Sequence, residues 1–301
     1  MNITTYQLTS CCGCHVALVN LGTHFLDLIT AGELVCSPVL TDTKDIPDCD
    51  IALIEGSVRT EENAEILHEL RDQAQTLIAF GTCACFGGVP GMGSAFGIHE
   101  ILSEGYGTDF IPENIPQLTQ RLSPIDSYVE VDYYLPGCPP PPDLLHSSIE
   151  MLLTGQEPPR YDLPVCADCD RIAGNPSGKE IALTQKRTVN SFPDEEECLL
   201  SQGYLCLGSV SRSGCGAPCP HAGVPCTGCR GPIDRVFTEP SHGIFRDLVR
   251  RLSHFSGNSE EEVIQNLTDV LHTLYSFTLS VPDLRQKDTE DVYNMIKRIR
   301  V

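Results

Sequence analysis

Apolar runs that end in glycine-flanked cysteines constrain this chain more than any other feature. Residues 3–9 (ITTYQLT), 33–40 (ELVCSPVL), 50–58 (DIALIEGSV), 76–83 (TLIAFGTC) and 128–138 (YVEVDYYLPGC) read as strands. Between them, Val16 to Ile29 carries an apolar helical pattern. Residues 60–74 form an amphipathic helix with acids in its first turn, where the helix dipole favours them. Residues 143–153, after a run of prolines, are a third helix. Strands alternating with helices predict an α/β fold with an open, mostly parallel sheet, and a flavodoxin-like form of it. Cys11 and Cys14, Cys83, and Cys138 then fall just beyond the C-terminal ends of three strands, the edge where open α/β sheets bind ligands. Gly13, Gly81, Gly87, Gly88 and Gly137 accompany them, and glycine lets backbone approach a bulky inorganic group closely. One such cysteine reads as a buried structural thiol; three converging strand ends do not.

The composition changes after residue 155. GQEPPRYDLP (155–164) is a proline-rich linker, and sheet-like periodicity is hard to find from there to residue 232. This stretch instead holds Cys166, Cys169, Cys198, Cys206, Cys215, Cys219, Cys226 and Cys229, as expected of a small domain held by metal instead of a large apolar core. Residues 241–301 are helical in pattern (HGIFRDLVRRLSHF, EEVIQNLTDVLHTLY, EDVYNMIKRI), and packing on their own domain or on a partner both fit. The expected division is therefore a flavodoxin-like domain at 1–155, an iron–sulfur domain at 156–240 and a helical extension at 241–301.

Both zinc and iron–sulfur clusters accept four thiolates. Structural zinc usually draws on two close pairs, and Cys166/Cys169 with Cys226/Cys229 could serve. The N-terminal set is one pair and two distant singles lined with glycine, clearance that suits a cubane better than a single ion. Cysteine followed by proline, at 138–139 and 219–220, also occurs around cubanes. The twelve placed thiols make three sets of four, so three [4Fe–4S] clusters are the preferred reading over structural zinc.

The remaining features narrow the function class. A formal charge of −21 repels a phosphate backbone and argues against zinc fingers on nucleic acid. The N-terminus carries no basic and apolar leader, and no apolar stretch is long enough to span a bilayer, so the expected location is cytoplasmic. Clustered thiols in that reducing compartment point to metal or redox chemistry. His15 and His221 sit beside cysteines but read as packed or solvated, and no carboxylate pair suggests acid–base work. GGVPGMGSAFG (87–97) does not open a helix cleanly, so it is no nucleotide fingerprint.

CxxC at Cys11–Cys14, GTCACFGG at 81–88 and PGCPP at 136–140 together resemble the small subunit of nickel–iron hydrogenases. CLLSQGYLCLG (198–208) and PCTGCRGP (225–232) extend the likeness through the second domain. It is nearest to the methanogen type, the methyl-viologen-reducing hydrogenase, whose small subunit works with heterodisulfide reductase. The resemblance implies that Cys11, Cys14, Cys83 and Cys138 hold a proximal [4Fe–4S] cluster beside the large subunit's active site. It implies a distal cluster on Cys166, Cys169, Cys198 and Cys206, and a medial one on Cys215, Cys219, Cys226 and Cys229. The uptake enzymes of the family have histidine where this chain has Cys166, and proline where it has Cys219. Both changes supply a fourth thiolate. Cys12 is expected to be a spectator, and Cys36, Cys49 and Cys85 ordinary buried thiols.

The implied role is an electron conduit with no catalytic residue of its own. It relays electrons from a nickel–iron large subunit to a downstream acceptor, such as a heterodisulfide reductase complex. Two rivals are a quinone-reductase-type subunit, which lacks an eight-cysteine second domain, and a zinc-stabilised interaction module without redox function.

Overall fold

A computed structural model describes the chain except for residues 44, 109–111, 113, 175–192, 240, 268–269, 282–283 and 285–301. The expected helix EDVYNMIKRI lies outside the described residues. The chain divides into two compact units, Met1–Pro159 with Phe277–Val281, and Arg160–Ser276 with Pro282–Val301.

The first unit is built on a parallel sheet of β1 (Asn2–Gln7), β2 (Glu33–Cys36), β3 (Cys49–Glu55), β5 (Ala74–Phe80) and β7 (Tyr133–Leu135), in the order β2-β1-β3-β5-β7. Counting only its own strands, that is the 2-1-3-4-5 order of flavodoxin-like folds. Central strands β3 and β5 are buried almost throughout, which explains their continuous apolar runs. Helices α1 (Gly13–Val19), α2 (Thr23–Ala31) and α6 (Pro142–Leu153) carry Leu18, Leu28, Leu145 and Ile149 into one core with Ile3, Leu53, Ile78 and Phe80. Helix α3 (Glu61–Gln73) starts with a capping box in which Thr60 accepts from the Asn63 N–H and the Asn63 side chain returns the bond.

The structure departs from the periodicity at several points. The apolar pattern over 16–29 is two helices, because Gly22 takes φ +62° and breaks it; the bend between them is 90°. No single helix among the described residues is long and apolar enough to cross a membrane. Residues 50–58 split at Gly56 (φ +96°), where a Cβ would lie 2.9 Å from the Leu8 backbone. Beyond the split, β4 (Val58–Thr60) pairs antiparallel with β6 (Leu118–Ser123). Strand β2 stops at Cys36, before Ser37-Pro38, since proline cannot donate to a ladder. Only three residues of 128–138 are strand. Ahead of them the Asp132 carboxylate accepts from the Leu77 N–H at 2.7 Å, and Arg71 holds it at 2.7 Å.

Ahead of its helices, the described residues of the second unit up to 233 are mostly loops and turns. Arg171 fastens three of its loops: Nε donates to the Pro220 carbonyl at 2.7 Å, and Nη1 to those of Asp194 and Glu197. Helices α9 (Ile244–Ser256) and α10 (Glu260–Asn266), the latter with a Ser259/Glu262 capping box, bury Ile244, Phe245, Leu248, Val249, Leu252 and Val263. The segment Phe277–Val281 belongs instead to the first unit, where the Ser280 side chain fills the space over Gly87 and Gly91.

Candidate metal centres

At the first thiol set, hydrogen bonds join neighbouring strand ends before any side chain is considered. After β1, Leu8 N–H donates to the Glu55 carbonyl at 2.7 Å, and Thr9 and Ser57 exchange backbone bonds at 3.0 and 3.1 Å. After β5, Thr82 and Gly137 are tied reciprocally, Thr82 N–H to the Gly137 carbonyl and Gly137 N–H to Thr82 Oγ1, both at 2.9 Å. The Cys83 loop, which opens helix α4 (Thr82–Phe86), is thereby fixed to the Cys138 loop.

The thiols lie against glycine. A Cβ on Gly81 would be 2.2 Å from Cys14 Sγ, and one on Gly88 would be 2.5 Å from Cys83 Sγ. A Cβ on Gly13 would be 3.2 Å from Cys11 Sγ. Burial pushes the Cys14 thiol far above its ordinary range, and negative charge on Glu55, Cys83 and Cys138 adds to the effect. Cys83 is pushed up to about 12, first by burial and then by Cys138, Cys11 and Glu55. Cys138 is raised by burial, Cys11 and Glu55. Cys11, Cys14, Cys83 and Cys138 thus occupy one electrostatic neighbourhood. Thiolates forced together in that way fit a polynuclear cation, which offsets the burial and the mutual repulsion. The donor set and its glycine cradle therefore fit an iron–sulfur cluster.

Glu55 was not foreseen from the sequence. It ends β3, is 1% exposed, and accepts from the N–H groups of Cys14 (3.4 Å) and His15 (3.0 Å). The His15 ring donates to it from Nδ1 at 2.5 Å. Burial pushes the Glu55 carboxyl up, but the His15 side-chain and backbone bonds outweigh that and hold it below its ordinary value. The carboxylate caps the first turn of α1, a task that Cys12 at the N-cap, with φ +65°, does not perform through its own side chain. An acid in the last position of a buried strand, ahead of glycine, was the available signal. His15 is the packed histidine the sequence suggested, 1% exposed. Cys12 is partly exposed, while Cys36, Cys49 and Cys85 are buried.

In the second unit, Cys166 is pushed up to about 11 by burial and then by Cys206, Cys198 and Cys169, with Arg251 acting against them. Cys206 is raised by burial and by Cys198 and Cys169. Those four thiols influence one another. Cys198 is placed by its N–H bond to the Ile172 carbonyl at 2.7 Å, and Cys166 by its bond to the Gly208 carbonyl at 3.4 Å. Cys226 is raised by burial, then by Cys206 and Cys229, and its N–H donates to Cys206 Sγ at 3.3 Å. Asp168 shapes the turn around Cys215, accepting from Gly214 N–H at 2.7 Å and Gly216 N–H at 3.2 Å. Cys219 is exposed on the single turn α7 (Pro218–His221), and His221 beside it is 39% exposed and pairs with exposed Asp170.

Thiol sets on a flavodoxin-like sheet edge and in a loop-built second unit define the class, an iron–sulfur electron-transfer subunit. Residues 11–152 match the family described as NADH ubiquinone oxidoreductase, 20 Kd subunit. The chain is 39% identical over 281 residues to a subunit of the F420-non-reducing hydrogenase of Methanocaldococcus jannaschii, covering 91% of this chain and 93% of the relative. The corresponding subunit of Methanococcus voltae is 42% identical over 243 residues, covering 78% and 83%. Among solved structures, a chain of an NAD+-reducing [NiFe]-hydrogenase in the H2-reduced state matches at TM-score 0.51 and 36% identity, over 53% of this chain and 94% of that one. The chain belongs to the small subunits of nickel–iron hydrogenases and is similar to those of methanogens. It is a subunit of an oxidoreductase and works beside a large subunit. The quinone-reductase likeness is confined to the first unit, as the matched residues show.

Proposed function

We propose that this subunit holds three [4Fe–4S] clusters, ligated by Cys11, Cys14, Cys83 and Cys138, by Cys166, Cys169, Cys198 and Cys206, and by Cys215, Cys219, Cys226 and Cys229. The observation that supports this best is the first set, where four thiols from three strand ends share one glycine-lined neighbourhood, with Cys14 buried, Cys83 half-buried and Cys11 and Cys138 exposed. A cluster bound there supplies one-electron transfer. The chain's own residues do the rest: Glu55 orders the Cys11–Cys14 turn, and the Thr82–Gly137 bonds hold Cys83 and Cys138 in register. Hydrogen oxidised in the large subunit gives two protons and two electrons, and this subunit conducts the electrons singly to an acceptor. We infer that this acceptor is a heterodisulfide reductase complex in the cytoplasm, a reading that rests on the resemblance of the cysteine motifs to the methyl-viologen-reducing type.

Iron and acid-labile sulfide assays on the anaerobically purified complex test the inventory. About twelve of each per copy are expected from three four-iron clusters. Stoichiometric zinc with little iron would leave a metal-stabilised interaction module as the better description.

A further inference from the structure

We propose that Cys12, His15 and Glu55 form a second kind of metal centre in the first unit, a mononuclear site for a zinc-class dication. It uses none of the thiols assigned to iron above, so the inference does not rest on that assignment. The Cys12 thiol, a ring nitrogen of His15 and a carboxylate oxygen of Glu55 all lie within 4.8 Å of one another. Binding would draw them only slightly closer, because donors around a tetrahedral zinc ion stand roughly 3–4 Å apart. Cys12 caps helix α1 and His15 follows three positions later, a spacing that makes neighbours in one helical turn, while Glu55 arrives from the end of β3. His15 and Glu55 are each 1% exposed, and partly exposed Cys12 leaves a way in for the ion. Cys12 also holds a left-handed backbone, φ +65° and ψ 8°, which a residue with a Cβ ordinarily avoids. Asparagine would take that position with less strain and would cap the helix as well. The cysteine does neither. What it offers is a sulfur beside an imidazole and a carboxylate.

An outer shell supports the donors. Ser10 Oγ accepts from the Cys12 N–H at 3.4 Å and also bonds the Glu55 carboxylate, which steadies two of the three ligands. The donor chemistry selects the ion: thiolate, imidazole and carboxylate together suit zinc, whereas Mg2+ and Ca2+ take oxygen. On binding, the thiol proton leaves to water, and the thiolate and carboxylate together match the charge of the dication. His15 binds through Nδ1, the nitrogen that faces Glu55 at 2.5 Å. Its ring proton moves to Nε2, which has no hydrogen-bond partner among the described residues to displace. The Glu55 oxygens keep lone pairs for the Cys14 and His15 N–H groups, so the turn stays ordered. Water completes the fourth position, as in open zinc sites.

The test equilibrates the anaerobic complex with zinc sulfate at micromolar free Zn2+, removes unbound metal by gel filtration, and counts zinc and iron in wild type and Cys12→Asn. Asparagine tolerates the left-handed backbone and removes the sulfur. Wild type should retain about one zinc per copy of this subunit and Cys12→Asn about none, with equal iron in both. Zinc K-edge absorption of the wild type should show one sulfur at about 2.3 Å among nitrogen and oxygen neighbours at about 2.0–2.2 Å. Wild type that holds its iron but no zinc would overturn the inference and leave the cluster assignment standing. Zinc retained equally by wild type and Cys12→Asn would overturn it too. A shell of four sulfurs with low iron would place zinc in one of the thiol sets, and would sink the cluster assignment along with this site. If Cys12→Asn sheds its iron as well, the wild-type spectrum decides: one sulfur sustains the site, and any other count overturns it.

Discussion

Replacing Gly81 with alanine isolates the link between backbone shape and metal binding. Gly81 sits at φ +85°, ψ 163°, a conformation essentially reserved for glycine. Forcing alanine into it costs about 1–3 kcal/mol. The steric effect is larger in consequence. The new methyl would stand 2.2 Å from Cys14 Sγ and 3.6 Å from the Gly137 carbonyl oxygen, and an ordinary contact starts near 3.4 Å. Cys14 would have to retreat by more than an ångström, and Glu55 holds its backbone N–H. Gly81→Ala should therefore fold but lose the first cluster, lowering iron by about four per chain, the content of one cubane. Gly107→Ala is the control. Gly107 also has positive φ, at +67°, but nothing lies within 4 Å of its Cβ position, so strain without a clash should leave the iron count whole. Iron analysis and low-temperature electron paramagnetic resonance read both variants. Full iron with an unaltered spectrum in Gly81→Ala would refute the view that Cys14 must lie against that glycine to bind.

Glu55→Ala removes a buried carboxylate that accepts from two backbone N–H groups and the His15 ring. Breaking a buried pair in this way costs about 3–5 kcal/mol, so the midpoint of chemical unfolding of the first unit should fall clearly, and less so in Glu55→Gln. An unmoved midpoint would show that the carboxylate does not order the turn. Cys219→Pro should leave Cys215, Cys226 and Cys229 as three ligands, and the oxidised protein should gain a three-iron resonance signal. Unchanged iron and spectrum would remove Cys219 from the ligand set.

The central strands were legible because parallel strands buried on both faces leave continuous apolar runs. Leu77–Phe80 and the glycine-flanked Cys83 are the clearest instance. What escaped notice depended on contacts distant in sequence. The apolar pattern runs through Gly22 without pause, and only the backbone conformation there reveals two helices. Residues 118–123 alternate too weakly to announce β6, whose partner is the three-residue strand β4. Nothing local in residues 277–281 signals that Ser280 packs on Gly87 and Gly91, nearly two hundred residues earlier in the chain. Glu55 was hidden in the same way, as the final residue of a strand that is apolar from Ile51 to Ile54, and its three donors come from 40 and 41 residues upstream.

The central claim is that electrons released from hydrogen enter centres held by this chain's own thiols. Admitting hydrogen to the oxidised anaerobic complex, with no acceptor present, should bleach the broad visible absorption of its iron–sulfur centres. The same treatment of a Cys14→Ala complex should bleach far less, because the relay is cut at the first set. Equal bleaching in both complexes, or none in wild type while its large subunit still exchanges hydrogen isotopes with water, would contradict the account.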